Sequence, residues 1–198
     1  MFYSQPDVYV ANNFSKNKTV YFRLLYDRGS GIYSDKYKFL KLIGNKVYSC
    51  LEIVNEARIY GWGLSLNQNV KTRFRFDVSE SGADQITVDY DYNFFPGMLQ
   101  DGDCEWCADE SIALIKDEQP ATYNWDNKNR VYKLEPLSYD GYNGLTEAKI
   151  ACFGDFGNDS LFVKAFSKEI EDVLKNGTGQ QKEILGKYLT RVREKNIK

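Results

Sequence analysis

The sequence predicts an α+β fold, in which a mainly antiparallel β-sheet is bent into a sandwich or partial barrel and a C-terminal helical hairpin packs on it. One observation is composition, since 15 Tyr and 12 Phe among 198 residues favour strands over a helical bundle. The other is a change of hydrophobic period, from two residues to about 3.6 residues, near the C-terminal end. We therefore expect one domain with an N-terminal arm (1–17), an antiparallel β region (18–153) and two helices (158–198).

A β-hairpin over residues 70–94 is the most regular predicted element. Apolar and polar residues alternate on both sides of a Ser-Glu-Ser-Gly-Ala loop, so one face is apolar and the other is charged. Pairing Phe76 with Ile86 places opposite charges across the strands, and a register slipped by two residues does so as well. Charge therefore favours the hairpin without fixing its register. The first register pairs Arg73 with Asp89 and Lys71 with Asp91, and the second pairs Arg73 with Asp91 and Arg75 with Asp89.

The other strands are predicted from shorter alternating runs. Glycine at the first loop position favours a type II′ turn at residues 44–45. That turn places Leu40 and Leu42 on one face with Val47 and Leu51. In the strand predicted at 18–27, one face carries Val20, Phe22, Leu24 and Tyr26. Further strands are predicted at 8–10, 57–66, 121–125, 130–134 and 148–153.

Two helices are predicted at the C-terminal end. Apolar residues recur with helical spacing over residues 161–175, with capping side chains at 158–160 and a C-capping Gly177. Thr178 and Gln181 form a capping-box pattern at the start of the second helix. The apolar stripe of that helix contains Ile184, Leu185, Tyr188, Leu189 and Val192.

Composition and charge exclude several classes of function. The chain has no histidine, which removes Ser-His-Asp and Cys-His nucleophile pairs and the zinc sites that contain histidine. The 26 basic and 28 acidic residues give a net charge of −2, so no overall positive field attracts nucleic acid, and no nucleic-acid partner is expected. No apolar run reaches about 18 residues, so no membrane span is predicted.

The N-terminus gives a conditional prediction of the compartment. Residues 1–7 lack the basic and apolar segments of a secretory signal. The location is therefore cytoplasmic if Met1 is native, and secreted or periplasmic if a leader has been removed. A disulfide would indicate the second alternative, since disulfides persist in oxidising compartments.

Four cysteines give three alternatives, which the sequence leaves open. Cys104 and Cys107 have the two-residue spacing of redox dithiols and of one half of a zinc site. Cys50 and Cys152 stand alone in predicted strands, so a four-cysteine site requires them to converge on the loop. The alternatives are disulfides or free structural thiols, a structural zinc ion, and redox chemistry. The cofactor prediction is accordingly a structural zinc or none.

The same loop is rich in acidic residues. Asp101, Asp103 and Glu105 alternate along it, and their oxygens suit a hard cation such as calcium. Their spacing differs from that of a helix–loop–helix calcium site, so a solvated acidic loop is the simpler interpretation.

Aromatic residues in loops and strands are the candidate binding residues, because Trp and Tyr present large, rigid surfaces to a protein or a sugar. No coherent catalytic set accompanies them. The leading hypothesis is therefore a non-catalytic binding module for a protein or glycan partner. Its candidate contact residues are Trp62, Trp106, Trp125, Tyr139 and Tyr142.

Two other functions stay open on the sequence. The chain is either a structural component of a larger viral or extracellular assembly, or a His-free enzyme. Such an enzyme would use carboxylates or the Cys104 and Cys107 pair. The oligomeric state is not predicted.

Overall fold

The computed structural model describes residues 8–12, 18–29, 31–60, 66–78, 84–97, 111–135, 143–155 and 158–196. The strands are β1 (Val8–Asn12), β2 (Thr19–Gly29), β3 (Ile32–Ile43), β4 (Lys46–Ile59), β5 (Leu66–Val78), β6 (Asp84–Pro96), β7 (Ile115–Asp126) and β8 (Val131–Leu134). The helices are α1 (Asn143–Cys152), α2 (Asp159–Ala165), α3 (Ser167–Asn176) and α4 (Gly179–Asn196). The strands pair in chain order, all antiparallel, which confirms the predicted fold class.

The β5–β6 hairpin has the first of the two predicted registers. Phe76 lies opposite Ile86, and Arg73 lies opposite Asp89. The opposite charges face each other as predicted, but Arg73 forms its ion pair, among the described residues, with Glu118 of β7 at 3.2 Å and not with Asp89. Backbone register fixes which residues are neighbours, but a long arginine side chain reaches beyond its direct neighbour to the next strand. Arg75 similarly contacts Asp77 of its own strand at 3.0 Å.

The sheet folds over itself. Tyr21 of β2 and Phe74 of β5 have ring centroids 5.1 Å apart, although β3 and β4 lie between these strands. In a flat sheet, with about 4.8 Å per strand, they would be about 14 Å apart. Phe39 of β3 also contacts Phe74, with centroids at 5.2 Å. One face of β2 and β3 therefore packs on the apolar face of β5, as in a sandwich or partial barrel.

The fold-over coincides with two β-bulges that flank β3. The extra residue is Tyr26 in β2 and Asn55 in β4, and both lie beside Asp35. A bulge bends its strand and increases the local twist. Beyond Asn55, β4 pairs with β5 over 56–59 only, so the N-terminal part of β4 separates from β5.

The β3–β4 turn has the predicted type, and Leu40, Leu42 and Val47 share a face as predicted, whereas a bulge moves Leu51 to the other face. Gly44 has φ 58°, as the first position of a type II′ turn requires. That face is exposed, since Leu42 and Val47 are 43% and 63% exposed. Lys41 is buried in their place, at 1% exposure. Hydrophobicity alone assigns the wrong side of this hairpin to the core.

Two predicted strands also differ. Residues 148–152 end helix α1 and Phe153 lies in the turn after it, so no strand forms, since so short an apolar run does not define its own period. Tertiary contact decides the outcome, because the ring of Phe153 packs 5.0 Å from that of Tyr92. The predicted strand 57–66 is divided, with its beginning in β4 and Leu66 in β5. Residues 61–65 lie outside the described residues.

The helix predicted at 161–175 is two helices, α2 and α3, which meet at Phe166. Phe166 is fully buried, and its ring lies 5.0 Å from Phe94 of β6. The break between α2 and α3 therefore coincides with the packing of Phe166 on the sheet. The helical spacing of the sequence does not predict this break. The α3–α4 hairpin itself agrees with the prediction.

The predicted helix caps are confirmed. The side chain of Asn158 accepts a hydrogen bond from the Leu161 amide at 3.0 Å. At the start of α4, the Thr178 amide donates to Gln181 Oε1 at 2.8 Å, and the Gln181 amide donates to Thr178 Oγ1 at 3.2 Å. This reciprocal pair is a capping box. Gly177 is the C-cap of α3, with extended backbone.

Aromatic rings join the helices to the sheet. Phe162 and Phe166 contact Phe94, while Phe153 contacts Tyr90 and Tyr92 of β6. Leu185, Tyr188 and Val192 of the predicted α4 stripe are buried in the same core. None of the helices in the described ranges combines the length and apolarity that a membrane crossing requires.

Candidate functional site

Most of the candidate residues lie outside the described part of the chain. Trp125, Cys50 and Cys152 are described, and they can be placed in the fold. The remaining candidates lie outside the described residues. These residues are Trp62, Asp101, Asp103, Cys104, Glu105, Trp106, Cys107, Tyr139 and Tyr142.

Cys50 and Cys152 are free, buried thiols. Cys50 is the extra residue of a bulge, and its Sγ donates to the Phe39 carbonyl at 3.2 Å. The bulge pairs Leu51 with Phe39, which removes Leu51 from the predicted face with Leu40. Burial raises the pKa of each thiol to about 12. Across the described ranges, no three His, Cys, Asp or Glu side chains converge as a metal site.

We expect iodoacetamide to alkylate Cys50 and Cys152 slowly in the folded protein. With a pKa of about 12 for each thiol, only about one thiol in ten thousand is ionised near pH 8, and burial also blocks access. Peptide mass spectrometry should find both residues unmodified in buffer and fully modified in urea. Rapid native labelling of either residue would contradict this burial.

Trp125 forms part of the wall of a buried charged cluster. The Lys41 ammonium lies 4.1 Å from the Trp125 ring centroid and 5.3 Å from that of Tyr132, and it forms an ion pair with Asp84. The Tyr132 hydroxyl is 3.4 Å from both Lys41 Nζ and Thr19 Oγ1. Burial raises the pKa of Tyr132, which keeps it a neutral hydrogen-bonding group. The cluster joins β2 and β3 to β6, β7 and β8.

A second buried charge lies at the bend of the sheet. Asp35 has no exposed surface, and its carboxylate accepts hydrogen bonds from Arg23, from the Tyr33 hydroxyl at 2.8 Å, from the Asn55 amide at 2.8 Å and from the Glu56 backbone N–H at 3.1 Å. Burial lowers the pKa of Arg23, but the hydrogen bond and charge of Asp35 outweigh it, and the net shift is upward. Asp35 thus holds the bulge at Asn55, and its partners are all within the fold.

Among the described residues, a further candidate surface is apolar and lies on the outward side of β1–β4. We call it the outer apolar face. The inward side chains of β2 and β3, such as Tyr21 and Phe39, pack on Phe74, and Tyr9 of β1 stacks on Tyr21 although it is 47% exposed. The alternate side chains therefore point outward. Register joins them across strands, with Val10, Val20 and Leu40 in one row. The outer apolar face comprises Val8, Val10, Val20, Phe22, Leu24, Leu40, Leu42 and Val47.

The described residues leave much of this face uncovered. Val8 is 62% exposed, Val10 52%, Leu42 43% and Val47 63%. Antiparallel sheets with one solvated face normally alternate apolar and polar residues. Here β1 and β2 are apolar on both sides, which is typical of a strand that is covered on both sides.

Lysines flank the outer apolar face. Lys38 lies on the same side as Phe22, its direct neighbour in the sheet, and the Lys18 backbone carbonyl accepts a hydrogen bond from the Leu42 amide at 2.9 Å. Neither lysine side chain forms an ion pair with another described residue. Lys36 is paired with Glu52 at 3.3 Å. The face is therefore apolar with a basic edge.

The sequence predicted which residues of the outer apolar face lie together, but not that this face is the exposed one. Alternation correctly grouped Val20, Phe22 and Leu24, and it placed Leu42 with Val47. It did not distinguish which of two apolar sides is buried, because both sides of β2 carry large apolar residues. That distinction depends on the fold-over of the sheet, which buries Tyr21 against Phe74.

Comparison of the chain with models of protein families, with curated proteins and with solved structures found no match.

Proposed function

We propose that this protein is a non-catalytic interaction module that docks a protein partner on the outer apolar face. The observation that carries the proposal is the row of exposed aliphatic side chains on the outward side of strands whose inward side already forms the core. Contiguous exposed apolar surface favours association, because its burial removes it from water. On this proposal the side chains of the outer apolar face supply most of the binding affinity, and the candidate aromatic residues in loops make additional contacts.

The charge of the edge favours a different protein over a second copy. A symmetric dimer places the same patch on itself, so Lys18 and Lys38 would approach the same lysines of the partner. Like charges brought together at an interface disfavour the complex. The partner that suits this face has an apolar surface edged by carboxylates, which pair with the two lysines.

The proposal is tested by site-specific photocrosslinking in the native host. A photoreactive residue at Val47 should give a discrete adduct with one protein, and the same residue at Glu118, which is exposed on β7, should not. The partner is identified by mass spectrometry, purified and titrated against the wild-type chain. We expect Leu42→Asp to weaken binding about tenfold or more, since a buried carboxylate replaces an apolar contact. Lys38→Glu should weaken it most at low salt.

Three outcomes would contradict this proposal. The first is an adduct that forms equally from position 118. The second is a partner whose affinity is unchanged by Leu42→Asp while circular dichroism shows a folded variant. The third is an adduct of the chain with itself, together with self-association by light scattering, and it would favour a structural component of a larger assembly.

A further inference from the structure

A polar notch opens where β4 and β5 separate. The two strands pair over 56–59 only, and two adjoining clefts lie at the end of this pairing. The larger, of about 410 Å³, lies along the paired residues 56–58 and 69–71, and the smaller, of about 260 Å³, lies beside Asn55, Thr72 and Arg73, where the strands separate. Both clefts are lined by Glu56, Lys71 and Asp91. The bulge at Asn55 causes the separation, so the notch is a product of the bend in the sheet. No residue of the notch belongs to the outer apolar face.

Register arranges the polar side chains of the notch in rows. Asn69, Asn93 and Lys116 lie side by side on β5, β6 and β7, and Lys71 lies beside Asp91 in the adjacent row. Side chains directly opposite each other on neighbouring strands have Cβ atoms about 5 Å apart. Two amides, two ammonium groups and the Asp91 carboxylate therefore occupy one small area. Glu56 and Arg58 also line the larger cleft, but they form an ion pair with each other at 2.8 Å.

Several of these groups have unused hydrogen-bonding capacity. Lys71, Asp91 and Lys116 form no ion pair with any described residue. Asn93 Oδ1 is buried and has no hydrogen-bond partner in the described part of the chain. Buried acceptors are normally satisfied. The Asn93 side chain is only partly buried and lines the larger cleft, so rotation of its amide would bring this acceptor to a ligand donor.

The orientation of Asn69 is fixed by a neighbour. The Tyr60 hydroxyl donates to Asn69 Oδ1 at 3.2 Å, so the amide nitrogen of Asn69 remains as a donor. Tyr60 also lines the larger cleft, where its ring offers an apolar wall. The notch thus presents a fixed amide donor, an unsatisfied amide acceptor and an aromatic side chain.

We propose that this notch binds a carboxylated saccharide. Sugar hydroxyls donate and accept at once, which suits the mixture of Asp91, Asn69 and Asn93. Two unpaired ammonium groups, on Lys71 and Lys116, exceed the single unpaired carboxylate, so the ligand carries a negative charge. This inference is independent of the proposed protein partner, since the two surfaces share no residue.

The test uses ¹⁵N-labelled full-length protein titrated with trigalacturonic acid, and with neutral galactotriose as the matched probe. We expect the acidic sugar to shift the side-chain amide signals of Asn69 and Asn93, with a dissociation constant at least about tenfold below that of the neutral sugar. Asn69→Ala and Asn93→Ala assign those signals. Lys116→Met and Lys71→Met should each weaken binding of the acid about threefold to tenfold.

The matched control is Lys164→Met, which removes an exposed lysine on α2 and should leave the affinity unchanged. Equal affinity for the acidic and neutral sugars would overturn the role of the two lysines, and so would an equal effect of Lys164→Met. Absence of any shift at Asn69 and Asn93 with either probe would overturn the site itself. The backbone spectrum of each variant shows whether it is folded.

Discussion

Asp84→Ala is expected to lower the free energy of unfolding by about 3–5 kcal/mol, because it leaves the Lys41 ammonium buried without its carboxylate. Lys41 is 1% exposed, and the surfaces around it are the rings of Trp125 and Tyr132. A cation over an aromatic face is stabilised, but by less than the desolvation of an unpaired ammonium group costs. Since whole domains are stable by only about 5–15 kcal/mol, the midpoint of urea unfolding should fall markedly.

The double variant Lys41→Met, Asp84→Ala separates the charge from the packing. Methionine keeps much of the lysine volume and needs no counter-ion, so the double variant should be more stable than Asp84→Ala alone. Urea unfolding of the wild type, both single variants and the double variant gives the coupling energy. If Asp84→Ala lost less than about 1 kcal/mol, or if the second substitution added to the loss, the buried ion pair would not support the fold as argued.

Lys41 also shows why the buried side of the β3–β4 hairpin could not be predicted, although the grouping of Leu40, Leu42 and Val47 on one face was correct. Alternation requires one side of the strand to face inward, and Leu40 and Leu42 are the more apolar choice. Lys41 is buried on the inward side because Asp84 of β6 neutralises its charge and the rings of Trp125 (β7) and Tyr132 (β8) pack against its ammonium group. Those partners are more than 40 positions away in the sequence. A local pattern does not contain this information.

The β5–β6 register could be narrowed to two alternatives from the sequence, because it depends on residues of two strands that are adjacent in the chain. Period-two alternation excluded a slip of one residue, and the correct register was one of two that remained. The helix caps at Asn158 and Thr178 were equally local and equally correct. By contrast, the break at Phe166 and the helical state of residues 148–153 depend on contacts with β6, such as those of Phe166 with Phe94.

The two proposed sites differ from the residues first singled out. The candidates in the sequence were residues with reactive or aromatic side chains, such as cysteines and loop tryptophans, and most of these lie outside the described residues. The outer apolar face and the notch arise instead from the bend of the sheet at Asn55 and Tyr26. A bulge has no reliable sequence signature, so neither surface could be assembled from the sequence. The residues of the outer apolar face were assigned to strands, whereas Glu56, Asn69 and Lys116 of the notch were not.

Asp35→Ala is expected to destabilise the protein by about 3–5 kcal/mol, because Asp35 is the buried acceptor that holds this bend together. The substitution removes the acceptor of the Asn55 side chain and of the Glu56 backbone N–H, at 2.8 Å and 3.1 Å, both of which are partly buried. Arg23 loses its counter-ion as well, but half of its side chain is exposed and water can replace that contact. Most of the lost stability should therefore come from the Asn55 amide and the Glu56 backbone N–H of β4, which would be left without an acceptor.

The matched control is Asp77→Ala, which removes another strand aspartate paired with an arginine. Asp77 is 41% exposed and Arg75 is 70% exposed, so this change should stay within about 0.5 kcal/mol of the wild type by urea unfolding. Because the bulge also shapes the notch, the backbone amide signals of 55–56 and 71–72 should shift in Asp35→Ala and not in Asp77→Ala. Equal stability of the two variants, or an unchanged spectrum around Asn55, would mean that the bend is set by the aromatic packing of Tyr21 and Phe39 on Phe74 and not by the buried carboxylate.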